Sequence, residues 1–240
     1  MYLLQAEGVC KNFGGLAAVS MVDFQVTQGE IVGLIGPNGA GKTTFFNLLS
    51  GALVPGSGLI RFKERKINGL KPHQICKMGI ARTFQAVKIF PNMTVLQNVL
   101  PGAIFGTSQR LNSAAATEQA EKCLEFVGMA HLAHNPVKDI NLVNQKRIEV
   151  ARALATQPEL MLLDEMMAGL TPTEIEEAIK LVERIRAKGI TVVMIEHVMK
   201  AIMSVCERIA VLHHGEKIAE GTPQEISADK TVIEVYLGEC

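Results

Sequence analysis

The eight residues Gly36-Pro37-Asn38-Gly39-Ala40-Gly41-Lys42-Thr43 match GxxxxGK[ST], and they stand between a continuous apolar run at 31–35 and a helix-forming stretch at 43–50. Strand, glycine loop and helix in that order constrain the fold more than any other feature, because the loop needs a buried strand to launch it and a helix N-terminus to close it. Glycines let the backbone wrap a phosphate with its N–H groups, and the helix adds its positive end. Lys42 is expected to reach the β- and γ-phosphates of a nucleotide and the Thr43 hydroxyl to ligate magnesium, with Thr44 beside it as a further nucleotide contact.

Such a loop needs an acidic strand end, and Leu160-Met161-Leu162-Leu163-Asp164-Glu165 supplies it. Asp164 is expected to hold magnesium through water, and Glu165 to polarise an attacking water as general base. Around these two anchors the chain reads as α/β. Period-two stretches at 3–9 and 22–26, split by Gly14-Gly15, predict antiparallel edge strands. Residues 87–155 are rich in Ala, Glu and Gln, with helical spacing at 114–127 and 145–155. They predict a helical subdomain inserted between core segments 1–86 and 156–240 of a single domain. Buried runs at 160–163, 191–195 and 209–212 alternate with helices at 173–188 and 199–206, which implies a parallel sheet. Residues 217–220 add a hairpin partner and 229–237 a closing helix.

Composition narrows the function classes. Lys+Arg 24 balance Asp+Glu 24, so no global field draws in nucleic acid, and none is expected as a partner. No window reaches the roughly 18 apolar residues of a spanning helix, and the start lacks a basic region followed by an apolar block. Neither secretion nor a membrane span is expected. Cys10, Cys76, Cys123, Cys206 and Cys240 are scattered without a CxxC pair and read as reduced thiols. His131 and His134 have no third ligand nearby and read as a solvated loop; His213-His214 before Gly215 read as a hairpin turn.

With the loop and the acidic strand in this order, the chain resembles an ABC-type ATPase subunit over essentially its whole length. The resemblance implies a P-loop NTPase of ABC type: a mostly parallel central sheet, an antiparallel β edge subdomain and the inserted helical subdomain, binding ATP and Mg2+ and hydrolysing ATP. It also implies roles that spacing alone does not assign. Gln85, closing Arg82-Thr83-Phe84-Gln85, takes the place of the glutamine that couples nucleotide to partner and shares in holding magnesium. His197, closing Val193-Met194-Ile195-Glu196-His197, takes the place of the histidine that reads the γ-phosphate, and Phe13 resembles the aromatic that stacks on adenine.

Within that family, Arg82-Thr83-Phe84-Gln85, Ile89-Phe90-Pro91-Asn92-Met93-Thr94-Val95, Ala168-Gly169-Leu170-Thr171-Pro172 and the ending Val235-Tyr236-Leu237-Gly238-Glu239 are similar to the ATP-binding subunits of branched-chain amino-acid importers. The ATPase of lipopolysaccharide export shares the closing helix and Cys206-Glu207-Arg208. The importer resemblance implies membrane permease subunits, a second ATPase subunit in a homo- or heterodimer, and an indirect link to a periplasmic solute-binding protein. It also implies a peripheral position on the cytoplasmic face of the inner membrane. Val87, Ile89, Phe90 and Met93 are expected to form a greasy groove for a permease helix. A soluble ABC ATPase of ribosomes or DNA carries two nucleotide domains or a long coiled-coil insertion, and this chain has neither; a nucleotide-binding regulator with weak hydrolysis stays open.

The sequence departs from the family at its LSGGQ signature, where a gapless reading places Ile140-Asn141-Leu142-Val143-Asn144 before a helix at 147–154. Both glycines are missing. Asn141 is expected to replace the serine with an amide, and Val143 to place a branched side chain near the γ-phosphate that this loop serves in the partner's site. In an alternative reading Asn144 takes over the glycine's part through the left-handed backbone region. Met166 stands where proline is common, and Thr171 where many members have Asp.

Overall fold

The computed structural model describes residues 2–107 and 111–237. In chain order, β1 (Tyr2–Phe13) turns into β2 (Leu16–Thr27), and β3 (Ile31–Ile35) leads through the glycine loop into α1 (Lys42–Leu49). Then come β4 (Ser57–Phe62), β5 (Arg65–Lys66), α2 (Pro72–Met78) and β6 (Ile80–Arg82). Three helices follow, α3 (Val95–Phe105), α4 (Ser113–Phe126) and α5 (Leu142–Ala155). The remainder alternates: β7 (Leu160–Asp164), α6 (Pro172–Ala187), β8 (Thr191–Ile195), α7 (Met199–Val205) and β9 (Arg208–His213). β10 (Glu216–Gly221), α8 (Pro223–Ala228) and α9 (Lys230–Leu237) close the described chain. Cys240, and the Gly238 and Glu239 of the importer-like ending, lie outside the described residues.

The strands form two sheets, β2-β1-β4-β5 and β10-β9-β3-β8-β7-β6. The first is antiparallel; the second is parallel except for β10, which pairs antiparallel with β9. Every residue of β3, β7 and β8 is buried, as a parallel sheet covered on both faces requires. Side chains alternate between two cores. Val32, Leu34, Leu160, Leu162, Val193 and Ile195 face the hairpin sheet and Phe45, Phe46, Leu48 and Leu49 of α1. Ile31, Ile35, Met161, Leu163, Val192 and Met194 face the other way, into the core shared with residues of α3 to α7. The mostly parallel α/β sheet with an antiparallel β edge and an inserted group of helices is the expected architecture.

Local chemistry sets the element ends that matter here. Thr171 caps α6: its Oγ1 accepts from the Glu174 backbone N–H at 3.4 Å, and Glu174 Oε2 accepts from the Thr171 N–H at 2.8 Å. Thr171 therefore starts the helix through its own side chain. In the sheet, Leu34 is level with Ile195 and Ile195 with Asp164, so the ends of β3, β8 and β7 lie side by side. The glycine loop, His197 and Glu165 all leave from that one edge, where ligands of open α/β sheets bind.

Candidate functional site

The loop after β3 is held in conformations that favour glycine, with φ 148° at Gly36, 80° at Gly39 and 99° at Gly41. A Cβ on Gly41 would lie 2.2 Å from the Ala18 carbonyl oxygen, so β2 leaves no room for a side chain there. Lys42, the first residue of α1, is 6% exposed and folds back over its own loop. Its Nζ donates to the carbonyl oxygens of Gly36 at 2.6 Å and Pro37 at 2.8 Å.

One open cleft gathers Phe13, Asn38, Gly39, Ala40, Gly41, Lys42, Thr43, Thr44, Gln85 and Glu165. It also includes Leu16, Ala17, Ala18 and His214, which sequence reasoning missed. The β1–β2 hairpin and the β9–β10 turn fold over the loop from elsewhere in the chain, and no local pattern announces that. Phe13 lies at the end of β1, 48% exposed, with Lys11 Nζ 5.6 Å from its ring centre.

At the floor of the cleft, Glu165 joins two residues from other elements. Its Oε1 lies 2.8 Å from His197 Nε2, and its Oε2 accepts from Gln85 Nε2 at 2.8 Å. The Glu165 backbone is left-handed, φ 50°, and its N–H donates to the Ile195 carbonyl at 2.9 Å. The three residues expected to carry chemistry are therefore one hydrogen-bonded group.

Asp164 sits behind that group, 1% exposed. Arg82 Nη2 donates to its Oδ2 at 2.8 Å, while Arg82 Nη1 donates to Asn47 Oδ1 at 2.6 Å and Ser50 Oγ at 3.1 Å. Burial pushes the Asp164 carboxyl above its ordinary pKa, and the Arg82 guanidinium opposes that shift. Asp164 Oδ1 is buried without a hydrogen-bond partner. A buried carboxylate oxygen left open beside a threonine-bearing phosphate loop fits a hydrated magnesium ion. Among the described residues, no three His, Cys, Asp or Glu side chains form a metal-holding cluster.

The structure revises two expectations. Helix α5 begins at Leu142, not after Asn144, and Asn141 is its cap, with Oδ1 accepting the Asn144 N–H at 3.0 Å. Val143 therefore has helical backbone and needs no glycine-like shape. Its side chain lines a crevice with Met166, Leu170, Ala178 and Leu181 of its own chain. Asn144 is also helical and absent from the left-handed residues, which removes the shifted-loop alternative. The two departures at 143 and 166 thus line the same crevice. Asn141 and Val143 lie outside the cleft that holds the glycine loop.

The second revision concerns the greasy groove. Phe90 and Met93 are exposed, but Ile89 packs against the core, and none of the four expected residues lines the apolar groove found nearby, beside Phe84. That groove is lined instead by Phe84, Pro72, Cys76, Pro101 and Phe105, among others, the last 70% exposed. Burial raises the pKa of Cys123 to about 11 and that of Cys206 to about 12, which keeps both as thiols.

Comparison with known proteins agrees with this geometry. The family model described as "ABC transporter" matches residues 19–168, and that described as "Branched-chain amino acid ATP-binding cassette transporter" matches residues 216–239. The chain is 40% identical over 251 residues to the high-affinity branched-chain amino acid transport ATP-binding protein LivG of Escherichia coli, covering 99% of this chain and 98% of the relative. BraF of Pseudomonas aeruginosa, with the same description, is 38% identical with the same coverage. The lipopolysaccharide export system ATP-binding protein LptB of Acidithiobacillus ferridurans is 37% identical over 99% of this chain and 97% of its own. Among solved structures, the ADP conformation of MJ1267, an ATP-binding cassette of an ABC transporter, superposes with a TM-score of 0.91 at 32% identity, covering 99% of each chain. The dimeric post-hydrolysis state of the cassette MJ0796, bound to ADP and Pi, superposes with a TM-score of 0.83 at 26% identity, covering 92% of this chain and 98% of that one. A family match across more than half of the chain, and relatives alike along nearly all of it, place this chain in the ABC transporter family.

Proposed function

We propose that this chain is the ATP-binding and ATP-hydrolysing subunit of a membrane importer for branched-chain or related amino acids. The observation that carries the reading is the group formed by Gln85, Glu165 and His197 beside the Lys42 loop. The C-terminal match at 216–239 favours an amino-acid importer over a lipopolysaccharide exporter.

In this reading the adenine stacks on Phe13 and the phosphates lie along the N–H groups of the glycine loop. Lys42 leaves the Gly36 and Pro37 carbonyls for the β- and γ-phosphates. Its ammonium is already within reach of the loop and has only to exchange acceptors. Thr43 and Asp164, the latter through water, hold magnesium, which when bound neutralises charge developing on the phosphates. Glu165 takes the proton of the attacking water, and His197 holds the carboxylate in place and contacts the γ-phosphate. In the structure both Glu165 oxygens are engaged. Each carboxylate oxygen keeps a second lone pair, so Oε2 can accept from the attacking water while Gln85 steadies the carboxylate from the other side. With magnesium bound, Gln85 would also be placed to share in holding it.

Asn141 and the start of α5 serve the ATP site of a second ATPase subunit, which returns the same service. Membrane attachment comes through permease subunits, since no helix among the described residues is long and apolar enough to cross a membrane. A permease helix seated in the groove of Phe84, Pro101 and Phe105 lies one residue from Gln85. Uptake of labelled leucine by cells carrying Glu165→Gln in this chain tests the proposal. Loss of uptake with normal assembly supports it, and native uptake overturns it.

A further inference from the structure

Helix α5 commits three charged side chains on successive turns, Lys146, Glu149 and Arg152, to the backbone of neighbouring loops. Glu149 is 3% exposed. Its Oε2 accepts from the Phe84 N–H at 3.4 Å and its Oε1 from the Lys88 N–H at 3.3 Å. Arg152 sits 3.4 Å from the same Oε1 and donates to the Lys88 carbonyl. Loop 84–88 is thereby clasped at both ends to one turn of helix, with Gln85 inside the clasp. Lys146 anchors the opposite loop, its Nζ donating to the Ala168 carbonyl at 2.5 Å and the Glu165 carbonyl at 3.4 Å.

A carboxylate is costly to bury, and an apolar side chain would fill this space without that cost. Glu149 answers the two backbone N–H donors with a different oxygen each, a pairing that a side chain with one acceptor oxygen keeps only in part. We infer that Glu149 is a positioning residue: its carboxylate sets the loop that delivers Gln85 to Glu165, with α5 as the common base of both loops. This rests on the reading of Gln85 and Glu165 given above. Phe84, Glu149 and Arg152 also line the apolar groove, so a partner helix seated there bears directly on the clasp.

Glu149→Gln keeps size and one acceptor oxygen, so one of the two N–H groups loses its partner. In the purified full chain, kcat is expected to fall by at least about tenfold, the scale of a misplaced catalytic group. KM for ATP and affinity for ADP stay within about twofold, as the nucleotide contacts are untouched. In a Gln85→Ala background the same change lowers kcat by less than about twofold, because the two residues act in series. A structural role would lower kcat by the same factor in both backgrounds, and that result, or a native kcat for Glu149→Gln, overturns the inference. Should Glu149→Gln not fold, Arg152→Gln, which releases the Lys88 carbonyl, is measured in the same two backgrounds with the same expectation. Glu165→Gln is assayed alongside. Native turnover there refutes the functional reading itself, whereas loss there with native Glu149→Gln refutes only the positioning role.

Discussion

Arg82 and Asp164 lie 2.8 Å apart, Nη2 to Oδ2, with side chains 6% and 1% exposed. The pair joins the end of β6 to the end of β7, and through Asn47 and Ser50 the same guanidinium reaches the far end of α1. One cation thus ties the helix of the phosphate loop to the acidic strand.

Removing that cation strands a buried carboxylate. Arg82→Met is expected to cost about 3–5 kcal/mol in denaturant unfolding, the range for breaking a buried pair from one side. Arg82→Met with Asp164→Asn should recover part of the loss. Unchanged unfolding in the single variant would mean that Asp164 is not paired as described.

Lys42→Ala is expected to abolish tight Mg-ATP binding while the fold persists. Its ammonium donates to the carbonyl oxygens of Gly36 and Pro37, both within the loop it serves. Lys42→Arg should fail as well, because a planar fork does not fit the space of a point charge. Near-native affinity of either variant in a nucleotide titration would contradict the phosphate-loop assignment.

Glu196 predicts a pH dependence. It is 2% exposed, accepts the Met167 N–H at 2.8 Å, and burial pushes its pKa up to about 7, with Lys146 opposing that shift and Glu165 adding to it. A carboxyl with a raised folded pKa holds its proton in the native state where the unfolded chain, near about 4.3, has lost it. Its contribution to stability therefore falls as pH rises from about 4.5 to about 7 and is flat above. Glu196→Gln should flatten that part of the melting-temperature profile and raise stability at pH about 8, where the native carboxylate is charged. An identical pH profile in native and variant would contradict the raised pKa.

Val143 tests whether the altered signature is an obstruction or a packing choice. Because its side chain shares a crevice with Met166 and Leu170, Val143→Gly should lower stability by about 1–2 kcal/mol through lost helix propensity and burial. Turnover should not improve. Faster hydrolysis with unchanged melting would show that the valine obstructs the site.

Much of this was legible along the chain because burial writes itself into sequence. β3, β7 and β8 are runs buried on both faces, ended by a glycine loop, by Asp164-Glu165 and by Glu196-His197, and each is found where expected. α3 was not legible, since Pro101 lies inside it and proline reads as a helix stop. The short β4, β5, β6, α2 and α8 gave too few residues for a period to emerge. The start of α5 was misplaced because Leu142 is exposed and off the apolar stripe, although Asn141 offered a cap signal. In the site, the glycine loop and the two acids followed from spacing, while Gln85, His197 and Phe13 came only through resemblance. Arg82 and Glu149 escaped altogether, because their partners lie 82 and 65 residues away and a pairing at that distance leaves no local pattern.

Glu165, held between Gln85 and His197, is proposed as the base that activates water. Steady-state phosphate release by the purified chain at saturating Mg-ATP, native against Glu165→Gln, tests it most directly when nucleotide retention is measured on the same samples. Turnover is expected to fall by about 10²-fold or more, the scale of losing a general base, with ATP still bound. Turnover at the native rate, with ATP bound equally well, would contradict it.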